Sequence, residues 1–308
     1  MMKAYRSKKA ADKIVSTYDE LLKQWDVPRK ELMVPTTYGS THVIISGKEE
    51  GKPLLMFHGV GDDSALMWIY NAKALGESYR LYAIDTIGGP GKSLMGEKYN
   101  TSYDDVIWID EIMNYFKLEK SSIVGVSHGG YLVQLYTLYR QEKIDKAICL
   151  SASVPIDGSE SYMKTMMKIF LPEALFPTKR NVMKLLRKLS GNHVEVFTDN
   201  TIILEHYQWL LKGFNNMAMR YHKVRMFTEE EVEQIKDKVY YLVGLEDPFQ
   251  KLGGAALLRK YGMNVKFYNG VGHGINHEIA DEINNIVIRI MEGQFMHMGF
   301  HDVSPNTI

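Results

Sequence analysis

The chain is short of the residues that would cross-link it, ligate a metal or anchor it. A single cysteine in 308 residues, Cys149, excludes an internal disulfide. It lies in the apolar run Ala147-Ile148-Cys149-Leu150 and reads as a small core residue. The ten histidines are scattered, with no Cys/His ligand spacing, so no metal site is expected. Basic and acidic residues balance at 37 each, and the net charge of +0 favours neither nucleic acid nor an anionic membrane as partner. No apolar run reaches the ~18 residues that would suggest a membrane span. The basic start (Lys3, Arg6, Lys8, Lys9) is followed by no apolar signal core, and the expectation is a cytoplasmic protein. There is no internal repeat and no low-complexity tract.

What is present is a 45% hydrophobic, 24% charged chain, long enough to bury a sizeable core. Eight apolar, partly β-branched runs read as strands, at 32–36, 42–46, 54–57, 80–84, 122–126, 146–150, 239–243 and 265–268. The first two flank the turn Tyr38-Gly39-Ser40 and read as a hairpin. From the third onward, helical patterns intervene at 64–76, 103–117, 129–142, 251–261 and 276–292. Strand–helix alternation with near-continuous apolar strands predicts an α/β fold, a mostly parallel sheet covered on both faces. Before it, 3–26 carries an apolar helical stripe (Ile14, Val15, Tyr18, Leu21, Leu22, Trp25) that ends at Pro28. That helix packs on the outside of the domain or offers the face of a homodimer.

The interval 152–237 breaks the alternation and is too long for an ordinary loop. Helical patterns at 159–170, 180–190, 199–212 and 214–226 predict an inserted helical cap over 153–227, leaving 1–152 and 228–308 as the core. A short helix over 228–236 returns the chain to the sheet, with Thr228 as N-cap and Glu231 completing a capping box. Met163, Met166, Met167, Met217 and Met219 either line an adaptable apolar pocket or fill the cap's own core.

The chemistry concentrates where strands end. Residues 121–131 read SSIVGVSHGGY: a buried strand, then Gly125-Val126-Ser127-His128-Gly129, then a helical pattern. This is the context in which G-x-S-x-G forms a sharp turn with an exposed serine at its apex. Crowding of strand against helix calls for almost no side chain at Gly125 and Gly129. After the third strand comes Phe57-His58-Gly59-Val60-Gly61, where Gly59 permits a tight turn. The N–H of Val60 can then converge with that of His128 on one oxyanion; His58 reads as a structural hydrogen-bonder. The Gly/Pro-rich run from Asp85 to Ser93 fits no phosphate-loop spacing, and Asp85 reads as its brace. After the seventh strand, Asp247 is placed to orient an imidazole, with Glu246 as competitor. After the eighth, His273 stands between glycines on a loop free to approach the serine, with His277 as the alternative base.

Ser127, Asp247 and His273 follow one another in the order nucleophile, acid, histidine. With the elbow and the oxyanion glycine, this order resembles the α/β-hydrolase superfamily over about residues 30 to 293. The N-terminal helix with Tyr38-Gly39-Ser40-Thr41-His42-Val43-Ile44 resembles its Bacillus-type carboxylesterases. The segment from Asp85 to Ser93 is one residue longer than the loop common in that family. The resemblance implies a serine hydrolase that needs no cofactor and acts on a small-molecule ester through an acyl-enzyme. An amide, thioester, lactone or C–C bond beside a carbonyl is open to the same residues. A slow or non-catalytic ligand receptor on the same fold is the rival of a different class.

Overall fold

The computed structural model describes residues 3–156, 167–171, 173–250 and 254–294. Its sheet has nine strands: β1 (Arg29–Thr36), β2 (Gly39–Gly47), β3 (Lys52–Phe57), β4 (Tyr79–Ile84), β5 (Leu94–Met95), β6 (Ser121–Val126), β7 (Ile144–Leu150), β8 (Val239–Gly244) and β9 (Asn264–Tyr268). The order is β1-β2-β4-β3-β6-β7-β8-β9, with β5 pairing β2 off this path. The eight expected strands are all there, and the two-residue β5 adds a ninth. β1 and β2 form the antiparallel hairpin, and β2 meets β4 antiparallel. From β4 across to β9 every pairing is parallel. β6 and β8 are buried at every residue, as strands covered on both faces must be.

The period-2 alternation of each strand divides the core. Leu54, Met56, Val124, Val126, Ile148 and Leu150 face one layer; Leu55, Phe57, Ile123, Ala147 and Cys149 face the other. Helices follow in chain order as α1 (Lys8–Lys23), α2 (Ser64–Met67), α3 (Ala72–Gly76), α4 (Asp105–Tyr115), α5 (His128–Tyr139), α6 (Lys179–Leu189), α7 (Glu195–Thr198), α8 (Thr201–Gly213), α9 (Glu229–Ile235), α10 (Gly254–Lys260), α11 (Ile275–Glu278) and α12 (Ala280–Met291). α1, α8 and α12 pack on the first layer, α4, α5 and α9 on the second. The capping box at Thr228 and Glu231 is formed.

Three expectations change. The pattern at 64–76 is two short helices, because the chain turns between Trp68 and Asn71, whose side-chain amide is committed to Asn276 O and Asn284 Oδ1. The stripe of α1 is buried within its own chain: Ile14, Tyr18, Leu21 and Leu22 are at most 1% exposed and Thr17 Oγ1 meets His206 Nδ1 of α8 at 2.7 Å. That stripe is therefore not a dimer face. The stretch 214–226 holds only a 3-10 turn at Asn216–Met219. Tertiary bonds take its polar groups instead, with Tyr131 Oη donating to Lys223 O and accepting from Arg225 N, and His222 held between Asp105 and Ile87 O. The pattern at 159–170 lies largely outside the described residues, as do Met163 and Met166. Met219 is buried, whereas Met167 and Met217 are exposed.

Candidate active site

The site is built at the carboxyl ends of neighbouring strands, where open α/β sheets place their chemistry. Ser127 follows β6 and caps α5 with φ 56° and ψ −114°, a conformation costly to a residue with a Cβ. The bond from its N–H to Leu150 O (2.9 Å) and the bond from Tyr131 N to its carbonyl (3.2 Å) hold it there. The tightness of the turn shows at its glycines. A Cβ on Gly125 would lie 2.2 Å from the Gly129 carbonyl carbon, and one on Gly129 would lie 2.3 Å from Phe57 O. Only hydrogen fits either place.

Asp247 follows β8 and is fully buried. Its Oδ2 accepts from His273 Nδ1 at 2.8 Å and its Oδ1 from Phe249 N at 2.9 Å. Glu246, by contrast, is exposed, with its backbone N–H bonded to Val271 O. The carboxylate meeting the imidazole is thus Asp247. Phe249 lies against the His273 ring, centroids 4.8 Å apart. Burial alone would push the His273 pKa down, but the Asp247 charge and hydrogen bond outweigh it and hold the value above the ordinary 6.5. With Nδ1–H donated to a carboxylate, Nε2 is the nitrogen that can take a proton. No hydrogen bond among the described residues joins it to Ser127 Oγ, and such bonds often tighten only around substrate.

His277, the other candidate base, is buried in α11 with Nε2 donating to Leu66 O, and burial pushes its pKa down to about 4. It is spoken for. His58 is buried as well: Nδ1 donates to Gly59 O at 2.8 Å and Nε2 accepts from Thr86 N at 2.9 Å, which fixes its tautomer and makes it a loop brace. Asp85 likewise braces its loop, accepting from Lys92 N and Ser64 N.

A Cβ on Gly59 would stand 3.4 Å from Ser127 Cβ, so the loop carrying Val60 lies in contact with the serine. His128 opens α5, and its backbone N–H is one of the donors a helix start leaves unpaired. Its ring is buried with neither nitrogen bonded among the described residues. Burial, and then the nearby His222, push its pKa down to about 3, so it stays neutral. No group of three metal-capable side chains exists among the described residues, and no helix among them is long and apolar enough to cross a membrane.

Several supporting groups escape sequence reading. Glu278 accepts from Gly272 N and Gly191 N, tying the His273 loop to the insertion. Asp62 and Asp63, just past Val60, meet Tyr207 and His206 of α8. Burial, and then the Asp63 charge, raise the Asp62 carboxyl to about 7. The DD pair is visible in the sequence, but its partners lie more than 140 residues away.

The fold agrees with the family comparison. The chain belongs to the α/β-hydrolase fold family, whose model matches residues 52–278. It is 22% identical over 280 residues to carboxylesterase YbfK of Bacillus subtilis (strain 168), covering 90% of this chain and 92% of that protein. A second protein of the same strain, named uncharacterized carboxylesterase nap, is 36% identical over 135 residues, 44% of this chain and 45% of that one. The crystal structure of naproxen esterase (carboxylesterase NP) from Bacillus subtilis superposes with a TM-score of 0.80 at 24% identity, over 92% of this chain and 99% of that one.

Proposed function

We propose that the protein is a serine carboxylesterase acting on small, partly apolar esters. The observation that carries this reading is Ser127, held at φ 56° on the strand–helix turn at the same sheet edge as the buried Asp247–His273 pair. His273 Nε2 takes the Ser127 hydroxyl proton as Oγ attacks the ester carbonyl. Asp247 holds the tautomer and stabilises the imidazolium. The N–H groups of Val60 and His128 receive the oxyanion. His273 then protonates the leaving alcohol, giving an acyl-Ser127. Water, deprotonated by the same imidazole, releases the acid and restores the serine. The similarity to proteins named carboxylesterases supports an ester as substrate.

We read 153–227 as the cap that selects the substrate, with buried Met219 among its apolar residues. A cytoplasmic setting is supported by the lone, buried thiol. The reading is tested with p-nitrophenyl esters, acetate through decanoate, on wild type and Ser127→Ala. Turnover that disappears in the variant is expected, and the chain-length optimum sizes the pocket. A folded wild type that cleaves none of them, or a variant that cleaves them equally, overturns the proposal.

A further inference from the structure

The two acids that follow Val60 point away from the local chain and into the insertion. Asp63 is fully buried. Its Oδ1 caps α2 by accepting from Leu66 N at 3.1 Å, which is all that local structure requires of it. Its Oδ2 goes to His206 Nε2 at 2.7 Å, and His206 is itself fully buried, with Nδ1 on Thr17 Oγ1 of α1. The adjacent residues repeat the pattern. Tyr207 Oη donates to Asp62 Oδ2 at 3.4 Å, while Asp62 Oδ1 accepts from Asp63 N. Two consecutive acids on the loop thus meet two consecutive residues of α8, which fixes the helix and the loop in one register.

Between Val60 and this anchor lies Gly61, at φ 75°. The N-terminal side of that swivel is held by the strand; on the other side α8 holds Asp62 and Asp63, and Asp85 Oδ1 accepts from Ser64 N just beyond them. The insertion also reaches the base loop, since Leu189 O accepts from His273 N at 2.6 Å.

We infer that His206 and Tyr207 are positioning residues that set the oxyanion loop through Asp63 and Asp62, so that the substrate-selecting insertion also aims the Val60 N–H. The inference rests on the esterase reading above. Removing His206 leaves Asp63 Oδ2 buried without its hydrogen-bond partner, and rehydrating it shifts the loop about Gly61. Displacing a positioned group by about 1 Å can cost ~10² in rate, and loss of a side-chain oxyanion donor typically costs ~10²–10³.

The experiment compares wild type, His206→Ala, His206→Gln and Tyr207→Phe. Active sites are counted with a fluorophosphonate probe, and p-nitrophenyl butyrate turnover is expressed per labelled site. We expect kcat per labelled site to fall about tenfold to a hundredfold in His206→Ala with KM within about twofold, as for loss of an interaction made only in the transition state. His206→Gln, which keeps a donor toward Asp63, recovers part of the loss, and Tyr207→Phe shows a smaller fall of the same kind. The Ki of a boronic acid that forms a tetrahedral adduct on the serine rises by the factor lost in kcat/KM. Variants that lose labelled sites but keep wild-type kcat per site overturn the inference, because the pairs then only hold the fold. If His206→Ala does not fold, Tyr207→Phe decides by the same readout. A folded wild type that takes no label overturns the esterase reading itself, and this inference with it.

Discussion

His42 offers a test that reads the site's support without touching its chemistry. Its side chain is 4% exposed and lies between two carboxylates, Nδ1 on Asp85 Oδ2 at 2.9 Å and Nε2 on Glu31 Oε2 at 3.0 Å. Burial would push its pKa down, but the two carboxylates hold it up at about 9, against an ordinary 6.5. Folding therefore tightens proton binding, and the stabilisation is complete below pH 6.5 and disappears as the pH rises through about 9. At ~1.4 kcal/mol per pH unit, the rise corresponds to roughly 3 kcal/mol, a large part of the ~5–15 kcal/mol stability of a folded domain. His273, also raised, adds a contribution of the same sign, and Asp62, raised to about 7, spends its own mostly below that pH. Urea unfolding of wild type and His42→Gln between about pH 7 and about pH 10 isolates the His42 share as the difference of the two slopes. Wild type should lose roughly 3 kcal/mol more than the variant across this window. Equal slopes, or a flat wild-type curve, would refute the reasoning.

Three further outcomes are expected. Asp247→Asn should lower kcat by ~10³–10⁴ through loss of the correct His273 tautomer, while Glu246→Gln stays within a few-fold; steady-state kinetics giving the reverse order would move the acid to Glu246. The acid limb of kcat/KM should fall as His273 takes up its proton, with a midpoint above 6.5, and should move down in Asp247→Asn; a rate flat between about pH 4 and about pH 8 contradicts a His273 base. Gly129→Ala sets a Cβ 2.3 Å from Phe57 O, so the turn cannot close; fluorophosphonate labelling of Ser127 should be lost even where soluble protein is recovered.

Much of this architecture is legible in the chain because its signals are local. Each central strand is an apolar run flanked by polar or glycine residues, and the elbow announces itself by two glycines spaced around a serine between strand and helix. The Asp247–His273 pair is legible only through chain order, since 26 residues separate them. What stays hidden depends on tertiary partners. Nothing near Trp68 reveals that Asn71 will be claimed by Asn276 and Asn284 and the helix broken there. The apolar pattern at 214–226 fits a helix, yet Tyr131, Asp105 and Ile87 take its polar groups from outside. The α1 stripe is correctly apolar, but only the fold shows that its cover is α8 of the same chain.

Cys149 has a consequence of its own. It pairs with Gly125 across β6 and β7, its Sγ reaches Gly130 O at 3.4 Å, and burial raises its pKa far above the ordinary thiol value. A thiol reagent meets nothing while that junction is shut, so the rate at which it modifies the protein counts the openings of the very seam on which Ser127 sits. The chain therefore carries a built-in clock for breathing of the turn that bears Ser127, and an occupant of the site should slow it.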